Sequence, residues 1–501
     1  MMRVPLCHPA VFRVEDEDDV ASALRDLEAG ETVELDGIRV TVRTPVPRGH
    51  KLALRPIAAG AAVLKFGAPI GRATEAIEAG CHVHSHNLST ALPGAGKRPA
   101  TAIIRADDRS GTDARFMGFR REDGRVGTRN EIWVLCTVGC VSNLARRIAE
   151  SARSALPAGI DGIYAFPHPF GCSQLGGDLD QTRRLLVGLA CNPNAGGVLI
   201  VGLGCENNQL DELLSLIPVQ RRSRVRAFAA QAVGDELDAG IAAALELAAV
   251  VSGDVRTSVP LSDLVLGLKC GGSDGMSGLT ANPLVGDMAS RLDAAGGTPV
   301  LTEIPELFGA EQILLARART PFVADSAQRL VDDFKNYFIA HGEPVHENPS
   351  PGNKAGGLTT LEEKSLGAVQ KAGTSRLAQV VRYGERIADK GFALLEAPGN
   401  DAVSSTALAA AGATLILFTT GRGTPMGFSV PTLKIASNSE LAAKKPHWID
   451  FDAGCLLEGV SRQDAAEQLF AKLLSVASGA PVCAERNGER EIAIWKRGVT
   501  V

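Results

Sequence analysis

The chain's 501 residues exceed one ordinary core, and its 45% apolar and 22% charged content fits a soluble globular protein of roughly two to four domains. A net charge of −5 with both signs intermixed and an aromatic content of 4% exclude a basic nucleic-acid stripe and a base-stacking surface. No run of about twenty apolar residues is present for a membrane span, and ten cysteines behind a start, Met1-Met2-Arg3-Val4-Pro5, that lacks a signal-peptide core are expected to be reduced thiols in the cytoplasm.

In chain order, Val20, Ala21, Leu24 and Leu27 recur at helical spacing within Asp16–Leu27, with Gly30 as a stop, and predict a helix. Val33-Glu34-Leu35 and Ile38–Val42 flank Asp36-Gly37, the signature of a type I′ hairpin. Short strands are predicted at Lys51–Leu54 and Ala62–Phe66. Next comes Cys81-His82-Val83-His84-Ser85-His86-Asn87. In an extended strand His82, His84 and His86 share one face, where neutral ring nitrogens can grip a divalent metal. A polar edge strand, or a buried histidine bonded to a backbone carbonyl, accounts for the same spacing. Residues 1–92 thus read as a small, mostly β domain. Residues 93–115 read as a Pro/Gly-bearing linker that would permit lid motion.

Residues 116–252 turn to an α/β pattern. The Arg- and Gly-rich Gly118–Asn130 runs into a buried strand at Ile132–Val138; guanidinium forks there suit carboxylates, or simply serve a solvated loop between domains. A helix at Ser142–Ala155, strands at Gly159–Phe166 and Gly197–Leu203, and helices at Asp178–Leu189, Leu210–Leu216 and Leu237–Ala249 follow. Residues 253–501 repeat the alternation: strands at Asp263–Leu268, Gly297–Glu303, Thr414–Phe418, Trp448–Phe451 and Arg490–Trp495, and helices within Leu279–Leu292, Phe322–Gly342 and Arg462–Ser475. A long Pro/Gly/Asn loop covers His346–Thr360, a length that is usually functional or disordered. Both units predict largely parallel, Rossmann-like sheets. No tandem repeat of fixed period is seen.

Ligands of such sheets gather beyond the carboxyl ends of the strands. Five polar loops fall there: Phe170–Gln174, Gly204–Asn207, Lys269–Asp274, Glu303–Glu306 and Thr419–Thr424. Cys172, Cys205 and Cys270 would hold an iron–sulfur cluster if they converged. No pair has C-x-x-C spacing, however, and a small buried residue at a tight turn is the commoner fate of a free cysteine. Cys136 and Cys140, with three residues between them, form no stronger pattern. Gly202–Asn207 begins like a dinucleotide fingerprint but ends in Asn, and no phosphate loop occurs, so neither NAD nor ATP is expected. Candidates for proton chemistry are His50, Lys51, His168, Lys269, Glu303, Glu306, Lys354, Glu362, Glu363 and His447.

Taken together, GFRREDGRVGTRN (118–130), Gly171–Gln174, Gly204–Asn207, Cys270–Gly275, HENPSPGNKAGGLTTLEEK (346–364) and Thr419–Pro425 with Lys445–Phe451 resemble the altronate/galactarate dehydratase family over nearly the whole chain. The resemblance implies a SAF-type β-clip as first domain, with His84-Ser85-His86-Asn87 matching its H-x-H-N segment and His82 as a departure. It implies a hydro-lyase acting on a sugar acid, D-altronate to 2-keto-3-deoxy-D-gluconate being the expected reaction. Galactarate- or sulfolactate-type lyases of the same family, an iron–sulfur hydro-lyase and a non-catalytic sugar-acid sensor are the alternatives. The implied cofactor is a divalent metal, Fe2+ or else Mn2+, on His84 and His86. Arg125 and Arg129 would hold the substrate carboxylate, and Gly271, Gly272, Ser273, Asp274, Gly421, Arg422 and Gly423 would orient the hydroxyls. Lys269, His50 or Glu303 would act as base, because the proton next to a carboxylate is a poor acid. A homodimer is the expected assembly.

Overall fold

The computed structural model describes residues 10–92 and 113–500, so nearly all of the expected linker lies outside the described residues. The first domain is built of short antiparallel strands. Val11–Phe12, Val20–Ala23, Lys51–Ala53 and His82–Val83 form one sheet, Ala62–Lys65, Ala68–Ala73 and Leu88–Ser89 another, and Thr32–Leu35 with Ile38–Thr41 a hairpin. The hairpin turns on Asp36 (φ 49°) and Gly37 (φ 80°), as a type I′ turn requires. The predicted helix at Asp16–Leu27 is instead the strand Val20–Ala23. All four of its residues are buried. A strand covered on both faces loses its period-two alternation, and its apolar residues then imitate a helical stripe.

The first domain nonetheless contains a short repeat. Leu27-Glu28-Ala29-Gly30, Val46-Pro47-Arg48-Gly49, Ile57-Ala58-Ala59-Gly60 and Ile77-Glu78-Ala79-Gly80 each end on a glycine at positive φ. Their apolar residues pair antiparallel, Leu27 with Val46 and Ile57 with Ile77. The domain is thus two copies of one arch, offset by 30 residues from Leu27 to Ile57 and by 31 from Val46 to Ile77.

The second domain is a four-stranded parallel sheet in the order Gly162–Phe166, Glu131–Cys136, Ala195–Gly202, Val225–Ala229. Helices Ser142–Arg153 and Glu236–Val251 cover one face, with Ile148 and Leu247 in that core. The third domain is a seven-stranded parallel sheet in the order Leu377–Val381, Phe392–Leu395, Thr298–Leu301, Val265–Cys270, Leu415–Thr420, Thr432–Ala436, Phe451–Asp452. Arg115–Arg120, paired antiparallel with Thr257–Pro260, ties the second domain to the third. The predicted strand at Arg490–Trp495 does not form: Glu491 makes a lone bridge to Phe428, and the Trp495 amide donates to the Tyr383 hydroxyl. Inside the predicted loop at His346–Thr360, Pro351–Ala355 makes a short helix capped by Ser350. One apolar cluster takes in Val63 and Ile70 of the first domain, Trp133 and Leu186 of the second, and Leu268 and Phe418 of the third.

Candidate functional site

Three imidazoles meet where the first domain rests on the third. His50 precedes the strand Lys51–Ala53 and His82 begins the adjacent antiparallel strand, so strand pairing brings together residues far apart in sequence. His50 Nδ1 lies 3.0 Å from His82 Nε2, and the His50 and His84 ring centroids are 4.6 Å apart. One ring nitrogen from each of His50, His82 and His84 falls within 4.8 Å of the others. The expected extended His strand stops at Val83, and residues 84–87 form a turn in which the Asn87 and Leu88 amides donate to the His84 carbonyl. The turn leaves His86 exposed, its ring centroid 5.3 Å from that of His82, outside the three-membered group.

These imidazoles are neutral at ordinary pH. Burial, then the charges of His50 and His84, lowers His82 to about 3. Burial, then Lys51 and His50, lowers His84 to about 4. Burial lowers His50 as well. Neutral rings with a second partner are what a divalent cation needs. His50 Nε2 faces the Ala355 carbonyl at 3.4 Å and His84 Nδ1 faces Thr359 Oγ1 at 3.1 Å. With those nitrogens as donors, His50 Nδ1 and His84 Nε2 keep lone pairs for the group. The residues present therefore fit such an ion.

Behind the imidazoles lies a buried ion-pair network. Lys51 Nζ donates to Gly357 O (2.8 Å), Thr359 Oγ1 (2.7 Å) and Glu363 Oε2 (2.9 Å), and Lys65 Nζ donates to Glu363 Oε1 (2.9 Å). Burial lowers Lys51 to about 8 despite Glu363. Burial opposes the charge of Glu363, but Lys51 and Lys65 outweigh it and hold the carboxyl at about 2.

Beside the imidazoles a cavity of about 440 Å³ opens between Arg48 and Gly49 of the first domain and Asp274, Gly356, Gly421, Arg422, Asn438 and Lys444 of the third. The predicted loops Gly271–Asp274 and Gly421–Gly423 do come together here. The Gly421 and Arg422 amides donate to Gly272 O, and Asp274 accepts from the Met276 and Ser277 amides and the Ser277 and Ser437 hydroxyls through Oδ1, and from Asn438 Nδ2 through Oδ2. Asp274 is thus the organiser of the loops. Asn353, from the long predicted loop, donates to Ser273 O at 2.8 Å. A larger cavity, about 780 Å³, lies elsewhere beside Asp287, Arg291 and Arg317, and among the described residues no metal-capable group lines it.

Other expected residues sit apart. Arg129 is buried and saturated by both Glu485 oxygens and the carbonyls of Thr128, Val476 and Ala480. Arg125 pairs with Asp123 and the Cys191 carbonyl. Neither guanidinium is free for a substrate carboxylate; Gly118–Asn130 is a structural joint. Lys269 and Glu303 form a buried pair, with Asp401 as a further acceptor 2.9 Å from Lys269 Nζ. Burial opposes the Lys269 charge, yet Glu303 and Asp401 outweigh it and raise its pKa further, so this lysine is a poor base. Cys270, with Glu303 and Glu306, could also enclose a cation. Lys371 Nζ at 2.7 Å from the sulfur, Lys364 Nζ at 2.7 Å from Glu306 and Lys269 already supply three positive charges against Glu303, Glu306 and Asp401. Burial, with Glu303 and Glu306, pushes the Cys270 thiol up to about 12. Cys172 and Cys205 are exposed on the second domain and Cys270 is buried in the third, so these three do not make the trio whose convergence a cluster would need. His82, which the period-two spacing sets on one face with His84 and His86 but which the H-x-H-N resemblance leaves out, belongs to the group. The pairing of His50 with it, across 32 residues, had no signal in the sequence.

The sequence matches the model for the altronate/galactarate dehydratase SAF domain over residues 9–91. It matches the D-galactarate dehydratase/altronate hydrolase second-domain model over 118–252 and the D-galactarate/altronate dehydratase C-terminal model over 261–500. It is 49% identical to altronate dehydratase of Escherichia coli (strain K12) over 492 residues, 98% of this chain and 99% of that one. It is 46% identical to altronate dehydratase of Bacillus subtilis (strain 168), covering 98% and 99%. It is 33% identical to galactarate dehydratase (L-threo-forming) of E. coli K12, covering 94% of each.

Proposed function

The chain belongs to the altronate/galactarate dehydratase family, and on that premise we propose that it is a hydro-lyase converting D-altronate to 2-keto-3-deoxy-D-gluconate and water. The observation that carries this reading is the meeting of three neutral imidazoles with a polar cavity at the carboxyl end of the large parallel sheet. The Arg422 and Lys444 side chains line that cavity with no hydrogen-bonding or ion-pair partner among the described residues, and Arg48, paired with Glu440 at 2.7 Å, stands at its first-domain wall. They suit the substrate carboxylate, in place of Arg125 and Arg129.

His50, His82 and His84 would hold a divalent cation, ferrous iron by preference, which when bound neutralises the charge developing on the carboxylate and assists the leaving hydroxyl. His86, beside the group but not in it, is free to exchange the proton taken from the carbon next to the carboxylate. The Gly271–Gly272 and Gly421–Gly423 turns, fixed through Asp274, order the sugar hydroxyls along the cavity. The cytoplasm is the compartment we propose.

The test is turnover. Anaerobically purified protein with ferrous iron is given a panel of hexonates and hexarates, and 2-keto-3-deoxy acid is followed. Product from altronate is the expected result. Product from galactarate alone would replace the substrate and keep the chemistry. Tight binding without product from any acid would leave a sensor and end the hydro-lyase reading.

A further inference from the structure

Every exposed cysteine among the described residues lies at one place: Cys140, Cys172 and Cys205. Each directly follows a glycine, and each sits in the loop leaving one of three adjacent parallel strands, Glu131–Cys136, Gly162–Phe166 and Ala195–Gly202. Free cysteine is among the most buried residue types, so three solvent-facing thiols at one sheet edge need a reason.

The loops are knitted together. The Gly139 amide donates to Phe170 O at 2.8 Å, and the Asn208 amide to Gly171 O at 3.0 Å. Asn208 Nδ2 donates to Thr137 O at 3.0 Å, and the Ser173 amide to Asn207 Oδ1 at 2.8 Å. A side chain at Gly171 would strike Thr137 O at 2.1 Å, so the backbones are in direct contact. One polar group remains over. Gln174 is 2% exposed, and its Nε2 has no hydrogen-bond partner among the described residues. Gln231 Nε2, by contrast, already donates to the Cys205 sulfur at 3.7 Å. A buried donor without an acceptor is costly, and one in this loop is accounted for by an acceptor that binds there.

We propose that Cys140, Cys172 and Cys205 hold an iron–sulfur cluster at the carboxyl edge of the second-domain sheet, with the amide of Gln174 donating to the cluster or its ligand. Three thiolates leave one iron of a cubane cluster without a protein ligand, open to an oxygen donor such as a hydroxy acid. The site differs from the trio containing Cys270, which the spacing did not favour, and it stands on a different domain from the imidazole group.

The full-length protein is purified anaerobically and reconstituted with ferrous iron and sulfide. The expected result is acid-labile sulfide together with broad thiolate-to-iron absorption in the visible. In the same unaltered protein, loading should protect Cys140, Cys172 and Cys205 from alkylation, read by peptide mass spectrometry, while Cys455 alkylates as before. Cys172→Ser and Cys205→Ser should each lose the absorption while keeping the far-ultraviolet spectrum of the parent, and Cys455→Ser should keep both. Absence of labile sulfide, uptake of a metal ion without sulfide, or unchanged alkylation on loading would each overturn the proposal. Turnover with ferrous iron in a protein that takes up no cluster would do so while leaving the proposed hydro-lyase standing.

Discussion

His82 and His84 resist protonation because burial and neighbouring positive charge act in the same direction. A cation at the group therefore competes with protons only as the pH falls towards about 4, where His84 is half charged. Equilibrium dialysis of ferrous or manganous ion against pH should show retention through mildly acid conditions. Release already near the ordinary imidazole value of 6.5 would contradict the burial argument. The same shifts bear on stability. The folded-state values lie below the unfolded ones, so the unfolded chain binds more protons between them. This contribution is complete above 6.5 and declines as pH falls from there towards 4 and 3. A second prediction separates neighbours. His84→Ala should lower cation content and turnover together. His86→Ala should keep the cation and lose turnover by about a hundredfold or more, the usual range for a proton-transfer group. Equal loss of cation in both would restore His86 as a ligand.

The long loop ending in Thr360 works as an element. Ser350 and Asn353 form a reciprocal cap on Pro351–Ala355, and Asn353 also reaches Ser273 O and accepts from Lys364. Lys364 in turn binds Glu306 and Asn348. One asparagine thus couples the segment to the loop that organises the cavity. Asn353→Ala should cost about 2 kcal/mol or more, from a lost cap and lost bonds to a charged group, and should raise KM more than a surface change does. Denaturant melts and steady-state kinetics measure both; unaltered KM would make the residue a cap only. At this scale the sequence was most readable. Strands with a continuous apolar run, such as Ile132–Val138 and Gly197–Leu203, and the helix behind each formed near their expected positions. Val20–Ala23 failed because full burial erases the alternation that marks a strand. The arginines of Gly118–Asn130 misled for a different reason: guanidinium donors satisfy carbonyls and carboxylates of the protein as readily as those of a ligand, and only the fold shows which are present.

Across the whole molecule, the first domain is fastened to the third by buried and half-buried polar contacts. Lys51 and Lys65 share Glu363, Thr90 and the Ala91 amide bind Glu362, and Thr360 Oγ1 donates to Ile70 O. A side chain on Gly275 would lie 2.0 Å from Gly49 O, so the chains touch backbone to backbone at the cavity wall. A hinged lid would have to expose two ammonium groups and one carboxylate that are all but fully buried, whereas Arg48–Glu440 at the rim is an exposed pair of little weight. The domain therefore acts as a fixed wall carrying His50, His82 and His84. Glu363→Gln tests this. Removing the carboxylate leaves Lys51 and Lys65 facing each other in the interior, a loss of about 3–5 kcal/mol for a broken buried pair. The parent should also lose stability as pH falls from 4.5 towards about 2, because the folded pKa of Glu363 is the lower one and the contribution is complete only above 4.5. In Glu363→Gln that acid-dependent loss should be smaller, and the first domain should exchange its amide hydrogens sooner than the third. Uniform exchange in the variant, with an unchanged acid profile, would mean that the apolar seam around Val63 and Ile70 holds the domain without the ion pairs.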